Sequence, residues 1–263
     1  MAHVVQPYPV VTLVQAPAVT PGLQATVVRN AEEQLERLHA EALPEAVDAK
    51  LEVLVEMSPA GALADYAESN GVDLLVLGTR GLGGFARLLL GSVAQQAVRH
   101  APCPVLTLGA EALDENSLAR GVAVGVDLTD GSEPALEAGR HVAEALGLGV
   151  TVVHARDPAV PYPAPTTVRE AFAKPELVTA ELERRLAALC EAHAPAGAPA
   201  AFELLDDEDS ADALVAYAER TQPGLLVLAT HGRTGFQRTL RGSISEEVMR
   251  RAACPVLTVQ RAP

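Results

Sequence analysis

The chain has few cysteines and no long apolar run, and each shortage excludes a class of protein. The three cysteines, Cys103, Cys190 and Cys254, include no C-x-x-C pair, which excludes a disulfide framework and a cysteine zinc site. No apolar run reaches the roughly 20 residues of a membrane-spanning helix, and residues 1–10 lack the charged, apolar and cleavage regions of a signal peptide. We therefore expect a cytoplasmic protein with no membrane partner.

Positive charge is also scarce. Lys and Arg together number 20 against 34 Asp and Glu, which gives a formal net charge of −14 at pH 7. A surface that binds nucleic acid needs a dense basic patch, so this balance argues against nucleic acid as a partner. The acidic surface is interpreted as a source of solubility.

What the chain does contain is one pattern written twice. Residues 73–92 (DLLVLGTRGLGGFARLLLGS) and 224–243 (GLLVLATHGRTGFQRTLRGS) each consist of a short apolar run, a glycine-punctuated loop and a Gly-Ser pair that opens a helix. A second apolar run follows each helix, CPVLTL from Cys103 and CPVLTV from Cys254. With a length of 263 residues, this repetition predicts two domains. Repeat one spans residues 1–109, a linker spans 110–120, and repeat two spans 121–263.

The glycines of both copies are spaced to bind phosphate. Glycine permits positive φ and close main-chain approach, and the first N–H groups of a helix lack internal partners and attract anions. The candidate phosphate-binding residues of repeat one are Gly78, Gly81, Gly91, Ser92, Val93 and Ala94. Those of repeat two are Ala229, Gly232, Gly242, Ser243, Ile244 and Ser245. Ala229 stands where the first glycine would be, and its methyl group is expected to narrow that pocket.

The combination of glycine loop, Gly-Ser helix start and CPV strand, in that order and twice, resembles the ATP-binding branch of the universal stress protein family. The resemblance covers most of the chain as two tandem domains. It implies that the protein binds ATP, with Mg²⁺ as the counterion of the phosphates, and acts as a regulator or sensor in stress responses. No lysine stands at the Walker position and no kinase or Ser-His-Asp pattern occurs. We therefore assign no catalytic residue and expect slow ATP hydrolysis at most.

The alternation of strand and helix patterns predicts an α/β fold of two tandem flavodoxin-like (Rossmann-like) domains with five-stranded parallel sheets in the order 3-2-1-4-5. In such sheets, ligands bind beyond the carboxyl ends of strands 1 and 4, and the glycine loop follows strand 4. The strands of repeat two are expected at residues 121–127, 150–155, 201–205, 225–229 and 254–260. Its helices are expected at residues 131–147, 168–193, with an interruption near Pro175, and 210–220.

Repeat one is incomplete. Residues 11–14 (VTLV) match residues 150–153 (VTVV), yet only ten residues precede them, against 29 in the stretch 121–149 of repeat two. The first strand and its helix are therefore expected to be missing. Three explanations stay open: residues 1–8 fold back as a partial substitute, another segment fills the gap, or the chain starts downstream of its original beginning.

The resemblance also implies an aspartate at the end of strand 1, and a main-chain group after strand 2, on the adenine side of the nucleotide. In repeat two these are Asp127 and the backbone near Ala155. Asp130 is a rival, because DLTDGSE is longer than the family's usual D-x-S-E turn. We favour Asp127, since alternating valines lead up to it; the other interpretation is that Asp130 or Ser132 only caps the next helix.

Neither repeat carries the complete pattern. Repeat one keeps its glycines without the strand-1 aspartate, and repeat two keeps the aspartate without the first glycine. We hypothesise that repeat two is the competent ATP site and that repeat one is weak or empty, because a missing strand removes a wall whereas Ala229 crowds one contact. The alternatives are a scaffold for protein interaction or dimerisation that does not bind nucleotide, and a small-molecule enzyme of the same α/β class.

The resemblance further implies that the two final strands, residues 103–108 and 254–260, pair with each other and protect their exposed edges. The tandem chain would then be an intramolecular pseudo-dimer. The unfinished sheet of repeat one also favours association of two chains into a homodimer.

Two further features have structural interpretations. The acidic run at residues 206–209 precedes a helix, where negative charge is favourable, so we interpret it as solvated and capping instead of metal-binding. Cys103 and Cys254 begin apolar strands and are interpreted as small buried residues.

Overall fold

The computed structural model describes residues 1–6, 21–44, 47–78, 91–109, 117–156, 175–230 and 244–260. The strands in these ranges are β1 (Ala2–Val5), β2 (Glu52–Val55), β3 (Leu75–Gly78), β4 (Val105–Leu108), β5 (Val122–Gly125), β6 (Val150–Arg156), β7 (Ala200–Asp206), β8 (Leu225–Thr230) and β9 (Val256–Gln260). The α-helices are α1 (Pro21–Ala42), α2 (Pro59–Asn70), α3 (Ser92–His100), α4 (Glu133–Leu146), α5 (Pro175–Ala192), α6 (Ser210–Thr221) and α7 (Ile244–Arg251). None of these helices is long and apolar enough to cross a membrane.

Seven strands form one sheet in the order β3-β4-β9-β8-β5-β6-β7. The five strands of repeat two lie in it in the order 3-2-1-4-5, so the predicted flavodoxin-like topology is confirmed. Every neighbouring pair is parallel except β4 and β9. The apolar run of β8 is almost wholly buried, which is typical of a parallel strand covered by helices on both faces.

The final strands of the two repeats pair, as expected, and they run antiparallel. The hydroxyl of Thr107 donates to the carbonyl of Val256 at 3.1 Å, and the hydroxyl of Thr258 donates to the carbonyl of Val105 at 3.1 Å. These residues hold the same positions in the two CPVLT runs, so the two bonds are related by a local twofold axis. The contact is therefore isologous, as in a symmetric dimer, although it lies within one chain.

Helix α4 lies very close to the centre of the sheet. Gly139 permits this approach, since a Cβ there would lie 2.4 Å from the Cγ2 atom of Val124 on β5. The core around this contact combines side chains of α4 and α5 with one face of the sheet, and it includes Val122, Val124, Leu136, Val152, Leu182, Leu186, Leu225 and Val227. Burial of each such side chain contributes about 1.5–3 kcal/mol.

The strands of repeat one are divided between two sheets. β1 and β2 form a parallel two-stranded sheet of their own, whereas β3 and β4 belong to the seven-stranded sheet. In repeat two, β5 lies between β6 and β8 and pairs with both. Among the described residues of 1–109, no strand pairs with β3 on the side where β5 pairs with β8.

β1 holds the place of the second strand of its repeat. It is followed by the long helix α1 and then by β2, just as β6 is followed by α5 and then by β7. Because β1 pairs with β2 and β3 pairs with β4, the proposal that the first residues replace the missing strand beside β3 is wrong for the described residues 1–6. The strand expected at residues 11–14 lies outside the described residues.

The chain divides into two compact units. One unit comprises residues 1–72 and 100–102; in it α1 contacts β1 and β2, and α2 contacts β1. Its buried side chains include Val5, Leu35 and Leu63. The other unit comprises residues 73–99 and 103–263 and contains the seven-stranded sheet.

The helices of repeat two begin close to their predicted positions. Helix α6 begins after Asp209, whose carboxylate accepts hydrogen bonds from the N–H groups of Ala211 at 2.7 Å and Asp212 at 3.1 Å. This capping confirms the interpretation for Asp209, whereas Asp206 of the same run forms an ion pair with Arg156. Helix α5 begins at Pro175, and the part of the predicted helix at residues 168–174 lies outside the described residues.

All three cysteines are free and buried. Burial raises the pKa of the Cys254 thiol to about 12, and it also raises the pKa values of Cys103 and Cys190 above the ordinary value. A buried, protonated thiol is a poor nucleophile. The interpretation of Cys103 and Cys254 as buried packing residues is therefore confirmed.

Candidate functional site

The turn after β5 is organised by the side chain of Asp127. Its Oδ1 atom accepts three hydrogen bonds: from the N–H of Thr129 at 3.0 Å, from the Thr129 hydroxyl at 2.7 Å and from the Ser132 hydroxyl at 2.8 Å. The N–H of Asp127 in turn donates to the Ser132 hydroxyl oxygen at 3.0 Å. Asp127 is exposed at the carboxyl end of the strand, so the carboxylate is held in one place by local bonds while it faces solvent.

The turn after β5 contains one residue, Leu128, in the left-handed backbone conformation. Leu128 has φ +57° although it is not glycine, and its side chain is buried. Arg185 of α5 donates to the Leu128 carbonyl at 2.7 Å, which satisfies a backbone acceptor that the turn leaves outside regular structure. Such a conformation is costly for a branched side chain, and the buried side chain together with the Arg185 bond holds it.

The polar residues that follow Asp127 do not cap helix α4 with their side chains, as the sequence suggested for Ser132. Ser132 makes no side-chain cap bond to α4, because its hydroxyl is used by Asp127. Thr129 caps the short 3-10 turn Asp130–Ser132 by accepting from the N–H of Gly131 at 3.3 Å. The capping interpretation of Ser132 is therefore wrong, and Asp130 is an exposed first residue of that turn.

Strand register places three chain ends side by side at the carboxyl edge of the sheet. Gly125 of β5 is level with Val153 of β6 and with Leu228 of β8. Two residues further along, Asp127 comes level with Ala155 and Thr230. The strands that follow β5 in the chain lie first on one side of it, β6 and β7, and then on the other side, β8 and β9. The carboxyl edge at β5 is therefore the topological switch point where α/β sheets bind ligands. The structure thus places the carboxyl ends of β5, β6 and β8, next to which Asp127, Ala155 and Ala229 lie in the sequence, at one edge of the sheet.

Helix α7 is attached to the end of β8. The Ser245 hydroxyl donates to the Ala229 carbonyl at 3.1 Å, and the Thr230 hydroxyl donates to the Val259 carbonyl at 3.4 Å. The first turn of α7, which includes Ile244 and Ser245, therefore begins beside the carboxyl edge of the sheet. Three further candidates lie outside the described residues: Gly232, Gly242 and Ser243.

A buried histidine lies directly beneath this edge and was not predicted from the sequence. His154 of β6 is 2% exposed, and its Nδ1–H donates to the Val126 carbonyl at 2.8 Å. Burial lowers the pKa of the His154 imidazole below its ordinary value; the Val126 bond and the charge of Asp127 act against this shift, and Arg185 and Arg156 act with it. A neutral ring therefore supports the backbone that leads to Asp127. No sequence signal identified His154, because the run VTVVHA is typical of any buried strand.

Arg156, at the end of β6, connects this edge of the sheet to β7 and α5. Its guanidinium binds the Asp206 carboxylate on β7 at 2.6 Å and donates to the Thr179 hydroxyl on α5 at 2.7 Å. The Arg156 side chain is 14% exposed, so these bonds hold it against the protein. The end of β6 is thereby tied to two neighbouring elements next to Ala155.

The corresponding edge of repeat one is built differently. Gly78 ends β3 and is exposed, and Gly91 precedes α3 with its carbonyl accepting from the N–H of Gln95 at 3.1 Å. In this helix start Ser92 is exposed and Ala94 is buried. Val93 is partly buried, and Gly81 lies outside the described residues. Among the described residues of repeat one, none holds the place of Asp127.

Helices α3 and α7 are joined by a charged contact that sequence reasoning also missed. The Glu246 carboxylate accepts from Arg99 at 2.5 and 2.8 Å and from the Gln95 side-chain amide at 3.0 Å. The Glu246 side chain is 10% exposed, and the hydrogen bonds from Arg99 lower the pKa of this carboxyl below its ordinary value. The partners lie in different repeats, so no local pattern could have predicted the contact.

The described residues contain no group of three His, Cys, Asp or Glu side chains that could hold a metal ion. The described part of the site offers hydrogen-bonding groups and the carboxylate of Asp127.

Comparisons with known proteins agree with this architecture. A family model described as the Universal stress protein family matches residues 2–108 and 119–260. A universal stress protein of Mycobacterium tuberculosis is 31% identical over 219 residues, which cover 82% of this chain and 71% of that protein. A universal stress protein of Mycolicibacterium smegmatis is 28% identical over 236 residues, covering 88% of this chain and 76% of that protein.

Solved structures show the same fold. A universal stress protein from Archaeoglobus fulgidus matches with a TM-score of 0.60 and 20% identity, over 92% of this chain and 79% of that chain. At this identity the likeness concerns the fold alone.

Proposed function

This chain belongs to the universal stress protein family, and on that premise we propose that its second repeat binds an adenine nucleotide, ATP, at the carboxyl edge of β5, β6 and β8. The bound nucleotide serves as a signal, and the protein acts as a regulator or sensor in stress responses. The alternative is a scaffold for protein interaction or dimerisation that binds no nucleotide.

The observation that carries the proposal is the fixed carboxylate of Asp127 at the switch point of the sheet. Three hydrogen bonds position its Oδ1 atom, and β5, which leads to Asp127, pairs with β6, which contains Ala155. A carboxylate and backbone carbonyl groups suit the adenine and ribose side of a nucleotide, because adenine offers N–H donors and ribose offers O–H donors. Asp130 is the weaker candidate, since it lies on the exposed 3-10 turn.

The phosphates would lie toward the start of α7. The hydrogen bond from the Ser245 hydroxyl to the Ala229 carbonyl holds the first turn of that helix at the same edge. Backbone N–H groups at the start of a helix favour anions. Gly232, Gly242, Ser243 and Ile244 are the proposed neighbours of the phosphates. Mg²⁺ would arrive as the phosphate counterion and would take its oxygen ligands from the nucleotide and water.

Repeat one is proposed to bind nucleotide weakly or not at all. Its glycine pattern includes Gly78, Gly91 and Ser92, but the missing first strand removes both the aspartate and one wall of the pocket. Slow hydrolysis at most is proposed for the bound ATP, because the sequence contains no Walker lysine and no identified general base.

The first test is the nucleotide content of protein purified without added ATP. The protein is denatured, and the supernatant is analysed by anion-exchange chromatography and by absorbance. The chain has no Trp and four Tyr, so bound adenine is easily detected. A single adenine nucleotide per chain supports one working site, whereas no nucleotide together with no binding on ATP titration would favour the scaffold alternative.

The second test replaces the carboxylate with its amide. Asp127→Asn retains the oxygen that accepts the turn's hydrogen bonds but removes the charge, so the fold is expected to persist. ATP binding should weaken on the order of tenfold or more, because a hydrogen bond to a charged group contributes about 1.5–3 kcal/mol. Equilibrium dialysis measures the change.

Two matched variants accompany this measurement. Asp130→Asn removes the rival carboxylate, and Gly91→Val blocks the loop of repeat one; both should bind ATP as the unaltered protein does. Normal binding by Asp127→Asn, with lost binding by Gly91→Val, would move the site to repeat one.

A further inference from the structure

Strand β3 forms one edge of the seven-stranded sheet, and apolar side chains beside that edge are exposed. Leu74 is 43% exposed and Val76 is 51% exposed. The residues at the same positions of repeat two, Leu225 and Val227, both lie in β8 and are 6% and 0% exposed. Identical residue types at equivalent positions are thus covered in one repeat and open in the other.

The cover in repeat two comes from β5 and α4. Leu225 and Val227 belong to the same core as Val124 of β5 and Leu136 of α4, and β5 pairs with β8 along its length. Within the described part of the chain, β3 has a neighbour on one side, β4. Its other edge therefore presents a row of backbone N–H and C=O groups next to an apolar face.

The opposite edge of the sheet is protected and β3 is not. Strand β7 carries Glu203, which pairs with Arg220, and Asp206, which pairs with Arg156. Charged side chains on an edge strand discourage pairing with another chain. The sequence of β3, LVLG, contains no charge and no proline, and such an edge is a template for strand addition.

The sheet already contains a strand pairing of the kind that a second copy would make. β4 and β9, with nearly the same sequence, pair antiparallel through two reciprocal threonine bonds. Two copies of β3 can pair in the same way, because an antiparallel pair of identical strands has a twofold axis. Opposite residues of such a pair share one face, so the exposed apolar side chains of both copies would come together.

We propose that two copies of this chain associate through β3, which pairs antiparallel with β3 of the second copy about an axis at Val76. Val76 then lies opposite the partner's Val76, and Leu74 lies opposite the partner's Gly78. This arrangement satisfies the open backbone groups and removes the exposed side chains of Leu74 and Val76 from water on one continuous face. The proposal does not depend on nucleotide binding.

The experiment measures molar mass by size-exclusion chromatography with light scattering. The unaltered chain is expected at twice its mass of 27.4 kDa. Val76→Lys and Val76→Glu each place like charges together on the axis, so each variant alone should run at the mass of one chain. Mixing the two variants in equal amounts should restore the doubled mass, because opposite charges then meet at the same point.

A matched control distinguishes this edge from the other one. Phe202 on β7 is 38% exposed, and Phe202→Lys should leave the doubled mass unchanged. Circular dichroism of each variant checks that its fold persists. A single-chain mass for the unaltered protein, or a doubled mass that survives Val76→Lys, would overturn the proposal. If the unaltered protein runs as a monomer and binds a synthetic peptide of residues 121–146, the edge of β3 accepts a strand and a helix in place of a second copy. That result would also overturn the proposal.

Discussion

At the scale of single residues, burial at the carboxyl end of β6 makes protonation of His154 less favourable. His154 is buried, its Nδ1–H donates to the Val126 carbonyl, and burial lowers the pKa of its imidazole below the ordinary value of 6.5. In the unfolded chain the ring takes up a proton near that ordinary value. Between the two pKa values the unfolded state binds more protons, so the free energy of unfolding falls as the pH falls.

We predict that His154→Gln removes this dependence. The difference in free energy of unfolding between the unaltered chain and the variant should be constant above about pH 6.5 and should decrease below it, with a slope of at most about 1.4 kcal/mol per pH unit. Urea denaturation at a series of pH values measures it. His141→Gln, on the solvent side of α4, controls for removal of a histidine as such. Parallel pH profiles for the unaltered chain and His154→Gln would show that the ring titrates alike in both states.

At the scale of elements, the contact between α3 and α7 depends on one carboxylate. Glu246 is nearly buried, and its carboxylate accepts hydrogen bonds from Arg99 and Gln95 of the other repeat. Removing the arginine leaves this carboxylate with fewer donors, and an incompletely paired buried group costs about 1–3 kcal/mol. The direct attraction is smaller, because the Arg99 side chain is 54% exposed and solvent screens it.

We predict that Arg99→Met lowers the free energy of unfolding by about 1–3 kcal/mol. Glu246→Gln should cost less, since a neutral amide no longer requires the cation. The double variant should show a coupling energy of about 1 kcal/mol. Chemical denaturation of the four proteins completes the cycle. Strictly additive effects would mean that the two side chains act independently.

The elements also show how far the sequence determined the fold. The apolar run before Ala229 and the acidic residue Asp209 predicted β8 and the start of α6 closely, because local patterning and capping decide both. Local patterns could not predict that β1 and β3 belong to different sheets, since sheet membership depends on which strands pair and not on the sequence of each strand alone.

The candidate site was predictable to a similar extent. Alternating valines located the carboxyl end of β5 and therefore Asp127. The left-handed Leu128 and its bond from Arg185 depend on a helix far along the chain, and the role of Ser132 depends on the turn that Leu128 creates. Tertiary contacts of this kind leave no local signal.

At the scale of the whole molecule, negative charge acts against compactness. The formal net charge is −14 at pH 7, and like charges on a compact surface repel one another. Salt shortens the range of this repulsion to about 8 Å at physiological ionic strength. We predict that the melting temperature of the nucleotide-free protein rises when sodium chloride increases from about 0.01 M to 0.15 M, since the Debye length falls from about 30 to 8 Å.

Differential scanning calorimetry at pH 7 measures this change. Screening also weakens exposed ion pairs such as that of Asp206, which acts in the opposite direction, but each such pair contributes at most about 1 kcal/mol. The nearly buried carboxylate of Glu246 is screened much less. A melting temperature that decreases with added salt would indicate that specific ion pairs outweigh the net repulsion.

The contact between Gln95 and Glu246 has an evolutionary consequence. The two residues hold the same position in the repeats, in GSVAQ and GSISE, and the Gln95 amide donates to the Glu246 carboxylate. In an assembly of identical subunits, a glutamate at this position would face a copy of itself, and any substitution would appear on both sides at once. With both repeats in one chain that constraint is absent. Each half of the interface can then mutate separately, and the Gln95–Glu246 pair is such an unequal substitution.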